Sequence, residues 1–283
     1  MQHETYEINI PYEKYGIKHT DNKATITTYI KEMYPDYQDA FNRPLIMICP
    51  GGGYEHLSPR EGEVIALKML DLGYNAVILR YSLMPDVYPS QLLEAAYTMH
   101  FIREHAAEWD VNPEKIIAAG FSAGGHVAAS LGTMWNDELL DTFLKEELKC
   151  SHEDVKPNGM LLGYPVITSG EKAHRPSFER LLGEEQYDEV VSQVSLETRV
   201  NIDTPKTFMW HTFADGSVPL ENSLLFANAL RKADVPFEYH VFPKGGHGLG
   251  LGTKETATKN GEHIQLEVSV WPELFATWVE NNM

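Results

Sequence analysis

Short, nearly continuous apolar runs alternate along this chain with longer amphipathic segments. The runs are PLIMIC, NAVILRY, KIIAAG, GMLLGY and KTFMWH, at residues 44–49, 75–81, 115–120, 159–164 and 206–211. Strands covered on both faces have this composition, whereas strands with one face in water alternate apolar and polar residues. The pattern therefore predicts the buried strands of a mostly parallel sheet.

The segments between the runs have helical patterning. Apolar residues at spacings of three and four predict helices at residues 61–72, 88–105, 221–233 and 271–279. The first carries Val64 and Leu67 on one stripe and is followed by Gly73, a residue type that commonly ends helices. Near the N-terminus, residues 6–10 and 24–30 are predicted to be antiparallel strands. Alternating strands and helices indicate an α/β fold, with helices on both faces of the central sheet.

No repeat, low-complexity segment or Pro/Gly-rich linker divides the chain. Hydrophobic residues make up 43% of its 283 residues, which is enough for a sizeable core. We therefore expect residues 1–283 to form a single domain. Residues 135–157 are polar and charged, and they are a candidate for a small cap or insertion over the site.

The charge of the chain restricts its partners. With 23 basic and 41 acidic residues the net charge is −18, and a field of this sign repels nucleic-acid phosphates and anionic lipids. The apolar runs fall short of the ~20 residues that span a membrane, and the N-terminus has no basic start and no apolar leader. The sequence predicts a cytoplasmic protein that binds neither nucleic acid nor membrane, and it leaves a homo-oligomer open.

Motifs for metals and nucleotides are missing. Cys49 and Cys150 are the two cysteines, and they form no CxxC pair of the kind that structural zinc sites use. HExxH and GxxxxGK[ST] are absent, and no GxGxxG follows a predicted strand. We therefore expect neither a metal nor an organic cofactor.

The sequence Gly120-Phe121-Ser122-Ala123-Gly124 follows one predicted strand and opens into a predicted helix. A G-x-S-x-G motif in this context is typical of a nucleophile elbow. The serine occupies a strained turn, so glycines on either side are needed where the strand and helix backbones approach each other. The motif predicts Ser122 as a nucleophile.

A serine hydroxyl needs a general base, and that base needs an orienting carboxylate. His247 lies in a glycine-rich loop after the strand-like residues 237–242, and Asp215 directly follows the predicted strand at 206–211. The order Ser, Asp, His matches the order of the hydrolase triad. Asp203 and Glu221 are rival acids, ranked behind Asp215 because they lie at the strand's other end and at the start of the next helix.

Gly51, Gly52 and Gly53 follow the first predicted central strand. Successive glycines leave backbone N–H groups unshielded and free to point at a developing negative charge. The sequence predicts an oxyanion hole made by the N–H groups of Gly52, Gly53 and Ala123.

These motifs resemble those of α/β-hydrolase esterases, and most closely the acetyl-xylan-esterase-like or sugar-ester hydrolase branch. The resemblance rests on PGGGY, GFSAGGH, the Asp-x-x-Val-Pro around Asp215 and the GGHG around His247. It runs from about residue 44 to the C-terminus. The chain departs from the hormone-sensitive-lipase-like pattern at Pro50, where those enzymes usually carry histidine. The resemblance implies cleavage of short acyl esters, with acetyl groups on sugars as the candidate substrate.

Three alternatives stay open at this point. The same triad can cleave an amide, as in arylformamidases or peptidases, and a hydrolase scaffold can serve a binding protein without catalysis. A lipase acting on long acyl chains ranks lower, because the sequence shows no extended apolar lid. Tyr54, His56 and Tyr81 are candidates for the substrate pocket because they lie near the motifs. His126, four residues after Ser122, is expected to pack or to form hydrogen bonds and not to catalyse.

Overall fold

The computed structural model describes residues 1–20, 23–32, 34, 36 and 42–283. Within these residues eight strands form one sheet in the order β1-β2-β4-β3-β5-β6-β7-β8. The strands are β1 Thr5–Glu7, β2 Thr25–Tyr29, β3 Arg43–Cys49, β4 Asn75–Arg80, β5 Val111–Phe121, β6 Gly159–Gly163, β7 Lys206–Thr212 and β8 Phe237–Phe242. Strands β3 to β8 run parallel, whereas β1 and β2 are antiparallel additions at one edge. The predicted mostly parallel sheet is confirmed.

Helices cover both faces of the sheet, as predicted. They are α1 Glu63–Asp71, α2 Ser90–His105, α3 Ala123–Met134, α4 Asp141–Phe143, α5 Arg175–Val190, α6 Glu221–Lys232 and α7 Trp271–Asn282. Apolar residues of α1 and α7 form one core cluster, and those of α2, α3, α5 and α6 form the other. The chain is therefore a sheet between two helical layers, with a separate core on each side.

Strand β3 shows why its sequence is almost continuously apolar. Leu45, Met47 and Cys49 point into the core beneath α2 and α3, whereas Ile46 and Ile48 point into the core beneath α1 and α7. All five are completely buried. Because successive side chains in a strand point to opposite faces, a strand covered on both sides has no position left for a polar residue.

Most predicted elements are present, with shifted ends. Strand β5 begins at Val111, earlier than the predicted start at residue 115. Its first residues were missed because they include the exposed Pro113 and Glu114 and form no apolar run. Helix α5 was not predicted. Gly183, with a left-handed φ of 65°, interrupts it and divides its apolar pattern.

Residues 135–157, the candidate cap or insertion, do not line the cleft at Ser122. They fold into short helical turns that pack against α2 and the N-terminal turn, where the hydroxyl of Tyr15 donates to Glu147 at 3.0 Å. Helix α3 causes this placement: it carries the chain 12 residues away from Ser122, which is ~18 Å at 1.5 Å per residue. Instead, residues on and just before α5, between β6 and β7, reach the cleft at Ser122.

The parallel strands bring the predicted site together at one edge. Strands β3, β5, β7 and β8 all end there, and they lead into the segments that hold the three glycines, Ser122, Asp215 and His247. Such an edge, outside the carboxyl ends of the strands, is where ligands bind in open α/β sheets. Among the described helices, none has both the length and the apolar character to cross a bilayer.

Candidate active site

Ser122 lies in a sharp turn between β5 and α3. Its backbone has φ 53° and ψ −124°, a conformation that residues other than glycine rarely adopt. The turn is held by the N–H of Ser122, which donates to the carbonyl of Gly163 at 3.1 Å, and by its carbonyl, which accepts from Val166 at 3.0 Å. The hydroxyl stays at the surface of the cleft, with 8% of the residue exposed.

The two glycines of the motif are required by close backbone approach. A methyl group on Gly120 would lie 2.1 Å from the carbonyl oxygen of Gly124, and one on Gly124 would lie 2.0 Å from the carbonyl oxygen of Cys49. Neither neighbour is the movable end of a side chain. The strand and the helix can therefore meet at Ser122 only where these positions lack a Cβ.

We expect Gly124→Ala to lower the free energy of unfolding by about 3 kcal/mol or more, because overpacking against fixed backbone atoms cannot relax. Gly216→Ala is the matched control, since a methyl group there meets no atom within 4 Å, and it should change stability by less than ~0.5 kcal/mol. Urea denaturation measures both variants. Equal stability of the two would contradict this explanation of the motif.

Ser122, His247 and Asp215 form one hydrogen-bonded chain. The Nε2 atom of His247 lies 2.7 Å from Oγ of Ser122, and its Nδ1 atom lies 2.7 Å from Oδ2 of Asp215. Glycines with positive φ on both sides, Gly245 and Gly248, allow the loop to present the imidazole. The three predicted residues are thus in direct contact. In this arrangement the hydroxyl faces a base whose far nitrogen is fixed by a carboxylate.

The carboxylate of Asp215 is completely buried and accepts several N–H groups. Oδ1 accepts from the backbone of Ser217 at 2.9 Å and of Val218 at 3.0 Å, while Oδ2 faces His247 and also Nε2 of His211 at 3.3 Å. Burial alone raises the pKa of Asp215, but the donors, His211 and His247 foremost, outweigh it and lower the pKa. Asp215 therefore stays ionised at neutral pH.

The rival acids lie elsewhere. Asp203 is exposed beyond the opposite end of β7, and Glu221 pairs with Lys172 at 3.6 Å at the start of α6. Neither forms a hydrogen bond or ion pair with His247. Asp215 differs from both in lying just after the carboxyl end of a parallel strand, and this position is what ranked it first in the sequence.

The glycine loop runs beside Ser122. Gly52 has φ 129° and Gly53 has φ 63°, and both line the same cleft as Ser122. Ala123 is the first residue of α3, so its N–H has no partner inside the helix. Across the described part of the chain, the N–H groups of these three residues donate to no protein acceptor. They are free to bind an oxygen atom of a ligand.

Glu61 fixes this loop and was missed in the sequence. The residue is 2% exposed, and its carboxylate accepts from the N–H of Gly51 at 2.8 Å and from the hydroxyl of Tyr164 at 2.6 Å. The same hydroxyl accepts from the N–H of Gly250 at 3.0 Å. Glu61 and Tyr164 thereby connect the glycine loop to the loop of His247. Sequence offered no signal, because an isolated glutamate at a helix start is usually exposed.

Tyr54 and Tyr81 do not line the cleft at Ser122, where the sequence analysis expected them. They are 1% and 2% exposed, and their rings pack together beneath the glycine loop with centroids 5.8 Å apart. Tyr81 donates to the carbonyl of Pro50 at 2.6 Å, so it supports the loop from below. His56, the third candidate, does line the cleft. Adjacency in sequence did not reveal which side of the loop each ring occupies.

His126 is buried and linked to the same loop through Tyr54, in agreement with a hydrogen-bonding role. Its Nε2–H donates to the carbonyl of Val194 at 2.8 Å, so its Nδ1 accepts the hydroxyl of Tyr54, also at 2.8 Å. Burial lowers the pKa of His126 from 6.5 to about 4. The imidazole is therefore neutral at physiological pH.

This buried histidine predicts an acid-sensitive fold. The unfolded chain binds a proton at His126 near pH 6.5 and the folded chain only near pH 4, so stability is lost as the pH falls between these values. The loss attributable to this residue is about 3 kcal/mol at pH 4, at ~1.4 kcal/mol for each pH unit. Urea unfolding of wild type and His126→Gln at pH 7.5 and pH 4 isolates it. An equal pH dependence in both proteins would contradict the assignment.

The cleft around Ser122 has a volume of about 320 Å³, and the residues that line it are polar, charged or glycine. His174 and Arg180, from the segment between β6 and β7, and His263, from the loop before α7, contribute to it and were not found in the sequence. Arg180 forms an ion pair with Glu55 at 2.9 Å. Burial, and then the nearby charges of His247 and Arg180, lower the pKa of His174.

Over the residues that the structure describes, no three or more histidine, cysteine, aspartate or glutamate side chains are grouped so that they could hold a metal ion. What the cleft offers is a serine hydroxyl, a histidine–carboxylate pair and free backbone N–H groups.

Comparison with known proteins identifies the family of this chain. The protein-family model BD-FAE matches residues 32–230, which is well over half of the sequence. This chain belongs to the BD-FAE family. Ser122 and Asp215 lie inside the matched range, and His247 lies beyond its end.

Curated relatives of this BD-FAE chain include enzymes of xylan breakdown. Endo-1,4-beta-xylanase B of Butyrivibrio fibrisolvens is 36% identical over 225 residues, covering 77% of this chain and 34% of the relative. Acetylxylan esterase of Xylanibacter ruminicola is 28% identical over 239 residues, covering 82% of this chain and 45% of the relative. The chain thus spans between a third and a half of the length of these relatives.

Solved structures place the BD-FAE chain in a known fold. An acetyl ester-xyloside bifunctional hydrolase from Caldicellulosiruptor lactoaceticus is 35% identical, with a TM-score of 0.78 and coverage of 93% of this chain and 89% of that one. MGS-M1, an α/β-hydrolase enzyme from a Medee basin deep-sea metagenome library, is 32% identical, with a TM-score of 0.74 and coverage of 99% and 97%. The α/β-hydrolase fold and the resemblance to its esterases are confirmed.

Proposed function

We propose that this protein is a serine carboxylester hydrolase that removes short acyl groups, above all acetyl, from esters of sugars. The observation that carries the proposal is the position of His247, whose two nitrogens lie 2.7 Å from Ser122 and 2.7 Å from Asp215. A serine becomes a nucleophile when a base oriented in this way can take its proton.

The reaction proceeds in two halves. Ser122 Oγ attacks the ester carbonyl while His247 Nε2 takes the hydroxyl proton, and the oxyanion binds to the N–H groups of Gly52, Gly53 and Ala123. The proton on His247 passes to the alcohol, which leaves, and Ser122 carries the acyl group. His247 then deprotonates a water molecule, which attacks the acyl-enzyme. The acid leaves, and the proton on His247 passes to Oγ and restores Ser122.

The cleft supports a small acyl group and a polar alcohol. Its volume of about 320 Å³ is at the low end for ligand sites, and histidine, arginine and serine side chains in its wall can form hydrogen bonds with hydroxyl groups. Among the residues that the structure describes, those lining the cleft include no large apolar side chain that would suit a fatty acyl chain. The names of relatives, among them an acetylxylan esterase and an acetyl ester-xyloside hydrolase, agree with this substrate class.

A panel of substrates tests the proposal. We expect the protein to hydrolyse p-nitrophenyl acetate faster than the butyrate and much faster than the decanoate, and to release acetate from acetylated xylo-oligosaccharide. A formamide and a short peptide complete the panel. Preferential cleavage of the formamide or the peptide would replace the ester assignment with amide hydrolysis. Failure on every substrate would contradict a hydrolase function.

A further inference from the structure

We propose that His211 is a positioning residue for Asp215, which it holds as a neutral imidazole through its Nε2–H group. The inference rests on the proposed function, because it concerns the carboxylate that orients the base. His211 would act through Asp215 and His247 and would not touch the substrate.

The contacts of His211 fix which of its nitrogens carries the proton. Nε2 lies 3.2 Å from the carbonyl oxygen of Val218 and 3.3 Å from Oδ2 of Asp215. Both are acceptors, so Nε2 must be a donor. Nδ1 lies 2.8 Å from the hydroxyl of Ser223, a group that can donate its hydrogen. The hydroxyl of Ser223 can therefore complete the neutral tautomer in which only Nε2 is protonated.

Burial gives this contact its importance. The side chains of His211 and Asp215 are both 0% exposed, and Ser223 is 0% exposed as well. Bulk water cannot replace a lost donor to the Oδ2 atom of Asp215, which serves His247 at the same time. A hydrogen bond to a buried carboxylate stabilises more than one in water. Without the donor from His211, the carboxylate of Asp215 can rotate, or Oδ2 can bind His247 more strongly.

Neutrality of His211 matters for the reaction. An imidazolium at this position would compensate the negative charge of Asp215, and the carboxylate would then stabilise the imidazolium of His247 less during proton transfer. As a neutral donor, His211 orients the carboxylate while leaving its charge available to His247. In this state the hydroxyl of Ser223 supplies the hydrogen that Nδ1 accepts.

Two substitutions at His211 separate positioning from packing. His211→Phe keeps the ring volume and removes the donor, and we expect kcat to fall ten- to a hundredfold with KM changed less than about twofold. The carboxylate then interacts with His247 alone, so the acid limb of kcat/KM should move to higher pH. His211→Gln can return an N–H near the position of Nε2 and should recover most of kcat and the wild-type profile. Ser223→Ala should give a smaller loss in the same direction.

A second readout does not depend on turnover. The proton shared by His247 Nδ1 and Asp215 gives a far-downfield NMR signal that changes with pH. We expect the midpoint of this titration to move to higher pH in His211→Phe and to stay at the wild-type pH in His211→Gln. If wild type cleaves no ester but this signal still moves, the proposed function fails and the positioning role stands. If the variants lose kcat equally, with the pH profile and the NMR titration unchanged, His211 is only a packing residue and the inference is wrong.

Discussion

Ser122→Ala should reduce kcat for p-nitrophenyl acetate by roughly 10⁴-fold or more, which leaves only the contribution of binding and of the oxyanion donors. The reason is geometric, because the hydroxyl of Ser122 lies 2.7 Å from Nε2 of His247 and is the group whose proton this base can take. Alanine also fits the turn, since removal of the hydroxyl adds no atoms. Initial rates at saturating substrate measure the effect.

Ser130→Ala is the matched control for this loss. Ser130 lies on α3, the helix that follows Ser122, and is 4% exposed; its hydroxyl lies 3.5 Å from Nδ1 of His126. We expect its kcat to stay within about twofold of wild type. Wild-type activity in Ser122→Ala would show that another residue is the nucleophile.

Asp215→Asn should lower kcat by roughly 10⁴-fold, although asparagine has almost the same shape. Its amide oxygen can still accept from Ser217 and Val218, so its NH₂ group must face His247 and His211 where Oδ2 stood. This NH₂ group and the Nδ1–H group of His247 would both be donors. His247 therefore changes to the tautomer that carries its proton on Nε2. In that tautomer it cannot accept the proton of Ser122.

Asp203→Asn provides the comparison, because Asp203 is exposed beyond the other end of β7 and has the same change of charge. Its kcat should be unchanged, and it should melt close to wild type. A loss of less than tenfold in Asp215→Asn, or an equal loss in the two variants, would mean that Asp215 does not orient the base.

The sheet could be predicted from sequence because a strand buried on both faces is a nearly continuous run of apolar residues. Strands β3 and β4 are apolar at nearly every position, and so each was found within a residue or two of its ends. Helix α5 was missed because Gly183 breaks its periodicity. The first part of β5 was missed because Pro113 and Glu114 are exposed there and the residues around them form no apolar run.

The candidate site was predictable where chain geometry acts locally. The glycines around Ser122 reflect backbone contacts between adjacent elements, and Asp215 and His247 follow strands whose ends meet. Residues that support the site through long-range contacts left no local pattern. Glu61 contacts Tyr164 across 103 positions, and which side of the loop Tyr54 occupies depends on a tertiary contact with His126. Such contacts become visible only after the chain is folded.

Direct detection of the acyl-enzyme is the measurement that tests the central claim most closely. Wild type and Ser122→Ala are mixed with p-nitrophenyl acetate, quenched in acid within the first turnovers, and analysed by intact mass and peptide mapping. We predict an added acetyl group on wild type alone, located in the peptide that contains Ser122. An acetyl group on another residue of wild type, or on Ser122→Ala to the same extent, would contradict Ser122 as the nucleophile.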